Sequence, residues 1–348
     1  MSLKKFIAWM TVITAAIVFL MYPLNYYIMS PGKAYGLTDY VKVDHADTKS
    51  DGTLNMMTIA LSPATPFRYI RAKFSDEQDI MREDEVHAPE ESDAEYNKRQ
   101  LKLMSDSQFN AKYMAYKTTG NEYKVNYNGV YVIYVVEKSA AEGILQSGDE
   151  VTSIDGKEII KHQQLVDYLS KKKKGDEVTL AITRDDKKLK KSVKLAEIPG
   201  GKGRIGLGIT FTDSKSITTK PEVKIDSEKI GGPSAGMMFT LEMIDQLTKG
   251  DLTKGYNIAG TGEMLENGQV GRIGGIDKKV IAAHKQGMDI FFAPDDEISP
   301  ELKKAVPDMV PNYDEAKKTA EKIGTKMKIV PVKTLDDALD YLKELPEK

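Results

Sequence analysis

The sequence predicts an α+β chain of several domains set behind a single hydrophobic helix. Three observations carry this. A length of 348 residues with 41% hydrophobic composition is enough for two or three cores of ordinary domain size. The run Phe6 to Met29 holds no charged residue over 24 positions. Beyond it, short β-rich runs bounded by glycine turns alternate with stretches of helical period.

The apolar run follows Lys4 and Lys5 and, at 1.5 Å per residue, would reach roughly 36 Å, enough to cross a hydrocarbon core. Trp9 near one end and Tyr22, Tyr26 and Tyr27 near the other suit the two interfaces. A cleaved signal peptide has a similar apolar region, but no small-x-small site follows Leu20, where the sequence is bulky and aromatic. Residues 1–29 are therefore expected to be a cytoplasmic start and single transmembrane anchor in the cell membrane. The positive-inside bias places the rest of the chain on the extracytoplasmic side.

Fifty Lys and Arg against 52 Asp and Glu leave a net charge of -2, so no field draws in nucleic acid. There is no cysteine, which removes disulfides, thiol nucleophiles and thiolate metal sites together. His45, His87, His162 and His284 are scattered without metal-ligand spacing, and no cofactor is expected. Residues 30–121 combine a strand-like run at 55–61 with a charge-dense helical stretch around Asp76 to Gln108. They read as a separate membrane-proximal domain of unknown role. The lysines at 171–174 read as an exposed helix end before Gly175.

From residue 122 to 198 the pattern is of short strands and one helix. Residues 130–136 (VYVIYVV) and 176–184 (DEVTLAITR) are β-rich, and His162 opens a helical run. With SAAEGILQSGDEVTSIDG as its most specific part, this order resembles a PDZ domain of the bacterial type. A small α/β spacer is the plainer reading. The resemblance implies capture of an extended peptide by strand addition, in a groove between a strand and the helix near His162 to Lys171. It also implies that the amides of Gly129, Val130, Tyr131 and Val132 face the peptide. That stretch departs from the Gly-x-Gly-x loop of many PDZ domains.

The chemistry concentrates in residues 199–348. An alternating strand over 222–230 runs into Gly231-Gly232-Pro233-Ser234-Ala235-Gly236, and a helical run with Met237, Leu241 and Ile244 on one face follows, closed by Gly250. Ser234 thus sits at a helix start. Capping alone accounts for a serine there, but not for the glycines crowded around it, which leave room for a substrate backbone. Free amides at a helix start can also stabilise an oxyanion. A second helix opens at Gly274-Gly275-Ile276-Asp277-Lys278-Lys279, with Asp277 as N-cap and Gly287 as C-cap. Two lysines in a first turn oppose the helix dipole. They are either simply solvated or placed so that one amine is neutral. Burial and the positive helix end both push a lysine's pKa down, so a neutral lysine can take a proton from a serine hydroxyl. Lys279 is expected to face the core and Lys278 to remain in solvent.

The segments GPSAG at 232–236, TGEMLENGQVGRIGG at 261–275 and KVIAAH at 279–284 resemble the proteolytic domain of the Lon family. The layout is similar to its PDZ-containing, ATP-independent, membrane-anchored members. The resemblance covers about residues 122–345. It implies Ser234 as nucleophile, Lys279 as general base, Thr261 as the hydroxyl supporting the amine, and Gly232 and Ala235 as parts of the nucleophile loop. It also makes a homo-oligomer plausible. Members of the commonest type carry Asp before the GPSAG segment, where this chain has Gly231. No G-x-x-x-x-G-K-[ST] loop occurs, so ATP-driven unfolding is not expected. The expected activity is a serine endopeptidase with a Ser-Lys dyad acting on exported peptides, such as peptide pheromones, or on flexible segments of surface proteins. A catalytically inactive PDZ adaptor is the alternative. A trypsin-like or tail-specific protease fits neither the motifs nor the domain order.

Overall fold

The computed structural model of the chain describes residues 3–46, 50–88, 91–227 and 230–348. Helix α1 (Leu3–Met21) leads into strands β1 (Tyr26–Gly36) and β2 (Thr53–Pro63), helix α2 (Pro66–Lys73), strand β3 (Asp79–Arg82) and the long helix α3 (Asp93–Thr119). Strands β4 (Glu122–Val135) and β5 (Glu150–Ile154), helix α4 (His162–Leu169), and strands β6 (Glu177–Arg184), β7 (Lys187–Lys194) and β8 (Ile209–Lys220) follow. The last third supplies α5 (Gly236–Leu247), β9 (Asn257–Gly260), α6 (Ile276–Lys285), β10 (Ile290–Pro294), α7 (Asn312–Ile323), β11 (Lys328–Val332) and α8 (Leu335–Glu344).

One six-stranded sheet has the order β11-β10-β9-β2-β1-β3. Strand β9 runs parallel to both β2 and β10, while β1 is antiparallel to β2 and β3. Because successive side chains of a strand point to opposite faces, Met56 of β2 joins Met237 and Phe239 of α5 in one core layer. Its neighbour Met57 joins Ile276 and Val280 of α6 in the other. Helix α5 is buried at every position from Gly236 to Gln246, between the sheet and α3. That is why its apolar residues run all round rather than along a stripe.

This arrangement overturns the separate membrane-proximal domain expected at 30–121. Strands β1, β2 and β3 are half of the sheet that also carries β9 to β11. Helix α3 buries Met104, Ala111, Met114 and Tyr116 in the same core as α5. Helix α3 is itself well specified: Ser92 caps it with Glu95 returning the bond, and Gly120 ends it in the left-handed conformation.

The second sheet has the order β8-β4-β5-β6-β7 and a core of its own, including Val130, Val132, Val151, Leu165 and Leu180. Strands β4 and β8 pair from Val135 and Ile209 down to Glu122 and Lys220, so the chain leaves and re-enters the larger domain side by side. The smaller domain therefore extends to residue 220, not 198, and residues 199–220 belong to it rather than to the C-terminal domain. It is an insertion within one discontinuous α/β domain.

The N-terminal helix is also shorter than expected. It ends at Met21, and Tyr26 to Met29 already pair with β2 and β3. Among the described residues no helix is long and apolar enough to cross a membrane. The side chains at positions 8, 12 and 15–18, and the part of the predicted strand at 228–229, lie outside the described residues.

Candidate active site

Helix α5 starts at Gly236, and the preceding turn places Ser234 at its mouth. Helix α6 starts after Gly275, whose φ of 65° gives the left-handed turn that aims the helix at the sheet. The N-cap is therefore Gly275 rather than Asp277. Likewise α5 ends at Thr248, before the Gly250 predicted to close it.

Lys279 is 2% exposed, and its Nζ lies 2.7 Å from Ser234 Oγ and 2.8 Å from Thr261 Oγ1. The Thr261 hydroxyl donates to the Ser234 carbonyl at 3.0 Å, so one side chain braces both members of the pair. Burial pushes the Lys279 pKa down from 10.5 to about 7. Among the described residues no carboxylate opposes this shift.

The neighbouring lysine shows the contrast. Lys278, expected in solvent, is 2% exposed and pairs with Asp79 at 2.8 Å and Asp277 at 2.5 Å. Burial pulls its pKa down, but the hydrogen bonds and charges of these two carboxylates outweigh that and leave it raised. Adjacent lysines are thus tuned in opposite directions by whether a carboxylate is in reach.

The loop before Ser234 is held by α3. Gly232, at φ 88°, donates its amide to the Gln100 carbonyl at 2.9 Å, and the Ser107 hydroxyl donates to the Pro233 carbonyl at 2.8 Å. A Cβ on Gly231 would stand 2.8 Å from Gln100 Cβ, so α3 fills the space where the resemblance places an acidic side chain. A Cβ on Gly236 would meet Ser107 Oγ at 2.6 Å and the Met264 amide nitrogen at 2.8 Å. Behind the serine, the Gly262 amide donates to the Ser234 carbonyl and the Met237 amide to the Gly262 carbonyl. Among the described residues the amides of Ser234 and Ala235 meet no acceptor, and Ala235 is the N-cap of α5. They are free to hold an anion.

The site opens on a cleft of about 740 Å³. Its walls include Tyr35, Met56, Met57 and Ile59 from the hairpin β1–β2, and Met104 from α3. Sequence reading brought Ser234, Lys279, Thr261, Gly232 and Ala235 to one place, and the structure places them there. It gave no sign of Gln100 or Ser107, because nothing local marks a residue of one helix as the support of a loop far along the chain.

The smaller domain departs from expectation. Gly129 to Val132 lie inside β4, where Val130 pairs with Asp213 on one side and Val151 on the other. The Val132 amide is given to Asp149 and that of Gly129 to Ile160, so this stretch has no free edge for a peptide. An open edge of the sheet belongs to β8. Between it and α4 lies a groove of about 670 Å³, lined by Leu165, Val166, Leu169, Ile209 and Phe211. The helix was expected at this groove; the strand was not. The missed signal is Gly206-Leu207-Gly208-Ile209, a Gly-x-Gly-apolar run at the head of β8 rather than of β4.

A serine hydroxyl held against a buried amine, with free amides beside it and an open cleft in front, is an arrangement suited to serine hydrolysis. Comparison with known proteins narrows the class. Residues 118–195 match the PDZ domain family, and residues 220–343 match the Lon protease (S16) C-terminal proteolytic domain. The chain is similar to the Lon protease of Elusimicrobium minutum, with 28% identity over 182 residues, covering 45% of this chain and 20% of that protein. It is also similar to the Lon protease of Mesomycoplasma hyopneumoniae, with 35% identity over 89 residues, covering 26% of this chain and 10% of that protein. The chain thus spans a fifth or less of the length of these relatives. Among solved structures it is similar to the PDZ domain of an SdrC-like protein from Listeria monocytogenes, with 40% identity, covering 25% of this chain and 92% of that one, at a TM-score of 0.24. The chain thus carries a PDZ-family domain and a Lon-type (S16) proteolytic domain, and the second supports a serine peptidase.

Proposed function

We propose that the protein is an ATP-independent serine endopeptidase working through a Ser234–Lys279 dyad. The observation that carries this reading is the 2.7 Å approach of a buried, pKa-lowered amine to a hydroxyl at a helix mouth. An extended peptide lies in the cleft with its scissile carbonyl over Ser234. Neutral Lys279 accepts the Ser234 proton as Oγ bonds to the carbonyl carbon. The amides of Ser234 and Ala235 hold the oxyanion. The Lys279 ammonium returns its proton to the leaving nitrogen as the C–N bond breaks. Water, activated by the same amine, then cleaves the acyl-serine ester. Thr261 keeps Nζ in line by accepting one of its N–H bonds.

The groove between α4 and β8 would capture extended peptide segments by strand addition and deliver them to the cleft. Exported peptides, including peptide pheromones, and flexible segments of surface proteins are the substrates this reading favours, because they need no unfolding. We place α1 in the cell membrane with the peptidase outside, on the strength of its exposed Phe6, Ile7, Trp9, Phe19 and Met21. A homo-oligomer is compatible with this layout.

Labelling with a serine-directed fluorophosphonate tests the reading. Wild type should label and Ser234→Ala should not, while Lys279→Met should label far more slowly. Persistent silence of the folded wild type would favour the inactive adaptor.

A further inference from the structure

Helix α2 has two faces. Tyr69 packs edge-on against Tyr26 at 5.1 Å and Ala72 is buried against the body. The other face carries Phe67, Ile70 and, at the C-cap, Phe74, which are 60%, 58% and 87% exposed. Their spacing of three and four residues makes a continuous helical stripe. Large apolar side chains grouped like this on a surface mark a contact site rather than ordinary exposure. Arg68, Arg71 and Lys73 are interleaved with the stripe, exposed, and without an ion pair among the described residues.

What covers the stripe is indicated by its neighbour. Helix α1 packs against α2, and Phe19, Met21 and Tyr22 at its end are 65%, 71% and 64% exposed. The apolar surface therefore continues from the end of α1 onto α2. The apolar part of α1, Phe6 to Met21, is roughly 24 Å long at 1.5 Å per residue, short of a hydrocarbon core of about 30 Å. A short hydrophobic helix draws whatever follows it toward the lipid. An apolar stripe flanked by basic residues is the composition that sits at the boundary of an anionic bilayer.

We infer that α2 is a membrane-surface foot: Phe67, Ile70 and Phe74 enter the acyl boundary, while Arg68, Arg71 and Lys73 meet anionic headgroups. The inference rests on the reading that α1 is seated in the membrane. Its consequence concerns substrates. Strand β2 supplies Met57 and Ile59 to the cleft and ends at Pro63, next to α2, so the cleft mouth stands roughly 20 Å from the lipid at 3.3 Å per residue. Peptide bonds close to the membrane surface would then be cut in preference to distant ones.

The chain has one tryptophan, Trp9, which makes a depth measurement direct. The full chain is reconstituted into vesicles of phosphatidylcholine and phosphatidylglycerol, with and without lipids brominated near the headgroup end of the acyl chain. Wild type reports on α1, and the double variant Trp9→Phe/Phe74→Trp reports on α2. The expected result is that brominated lipid cuts the emission of the double variant about twofold. Adding Arg68→Glu, Arg71→Glu and Lys73→Glu should restore most of that emission. Quenching of wild type with none for the double variant overturns the foot and leaves the anchor standing. No quenching of wild type overturns the anchor and the foot with it. An emission shifted to the blue with rising protein concentration, but insensitive to bromine, would assign the stripe to a second copy of the chain and overturn the proposal.

Discussion

Ser107 donates its hydroxyl to the carbonyl of Pro233, the residue immediately before Ser234, across a distance of 126 positions in the chain. The serine loop is therefore shaped as much by α3 as by its own glycines. Helix α3 also touches the inserted domain, through Lys98 to Asp185 and Lys102 over the Tyr131 ring. One helix is thus packed between the inserted domain and the loop that carries Ser234.

Replacing that hydroxyl should cost more in rate than in stability. Ser107→Ala removes one hydrogen bond, about 1 kcal/mol of folding free energy, while the Pro233 carbonyl is freed to move the loop. We expect a several-fold fall in kcat with little change in KM on a short peptide, and Gly236→Ala should be more severe because its Cβ has no room beside Ser107 and Met264. Thermal melts and steady-state kinetics on both variants check this. Unaltered kcat in Gly236→Ala would show that the loop tolerates displacement.

The rate should follow the free amine. With the Lys279 pKa near 7, kcat/KM falls about tenfold per pH unit below that value and levels off above it. Lys279→Met should lose on the order of a thousandfold in kcat, within the usual range for loss of a general base. A pH profile on a substrate without titratable groups reads this directly. A flat wild-type profile between pH 5 and 8 would remove the lysine from the proton path.

The same lysine should weaken the fold. Its pKa is about 7 folded and near 10.5 unfolded, so the unfolded chain binds the proton more tightly. The contribution to stability is intact above pH 10.5 and is lost progressively as pH falls toward 7. Lys279→Met does not titrate, so its advantage over wild type should widen across that window and become constant below it. The ceiling is on the order of a few kcal/mol, at 1.36 kcal/mol per pH unit. Denaturant melts at pH 6 and pH 9.5 measure the gap, and a gap that narrows toward pH 6 contradicts the assignment.

Occupancy of the α4–β8 groove should be separable from the chemistry. Val166 is 40% exposed on the groove wall, so Val166→Asp places a charge there without opening the core. KM for a long peptide should rise several-fold while fluorophosphonate labelling of Ser234 keeps its wild-type rate. Unchanged KM for long substrates would mean that the groove does not feed the cleft.

The candidate pair, Ser234 and Lys279, was legible because each residue sits in a short, distinctive segment. Glycines around Ser234 and paired lysines at the head of α6 stand out in the sequence itself, although the structure also gives Gly231 and Gly236 a packing reason against α3. Lys278 was misjudged because Asp79, the carboxylate that lets a lysine be buried charged, comes from a strand about 200 positions earlier. The same distance hid the domain boundaries. Residues 30–121 have the strand and helix patterns of an ordinary small domain, and only the pairing of β2 with β9 shows whose sheet they complete. In the inserted domain the error was one of topology, since β4 and β8 are both plausible edges until their partners are known.

The order of assembly gives the β2–β9 pairing a further meaning. Thr53 to Met56 wait unpaired on that side until Asn257 to Gly260 have been made and threaded past the whole inserted domain. Thr261 and Lys279 come later still. A nascent chain would therefore carry Ser234 with no amine beside it. On the proposed reading the chain would become able to cut only once Lys279, about four-fifths of the way along it, had been made and folded against Ser234.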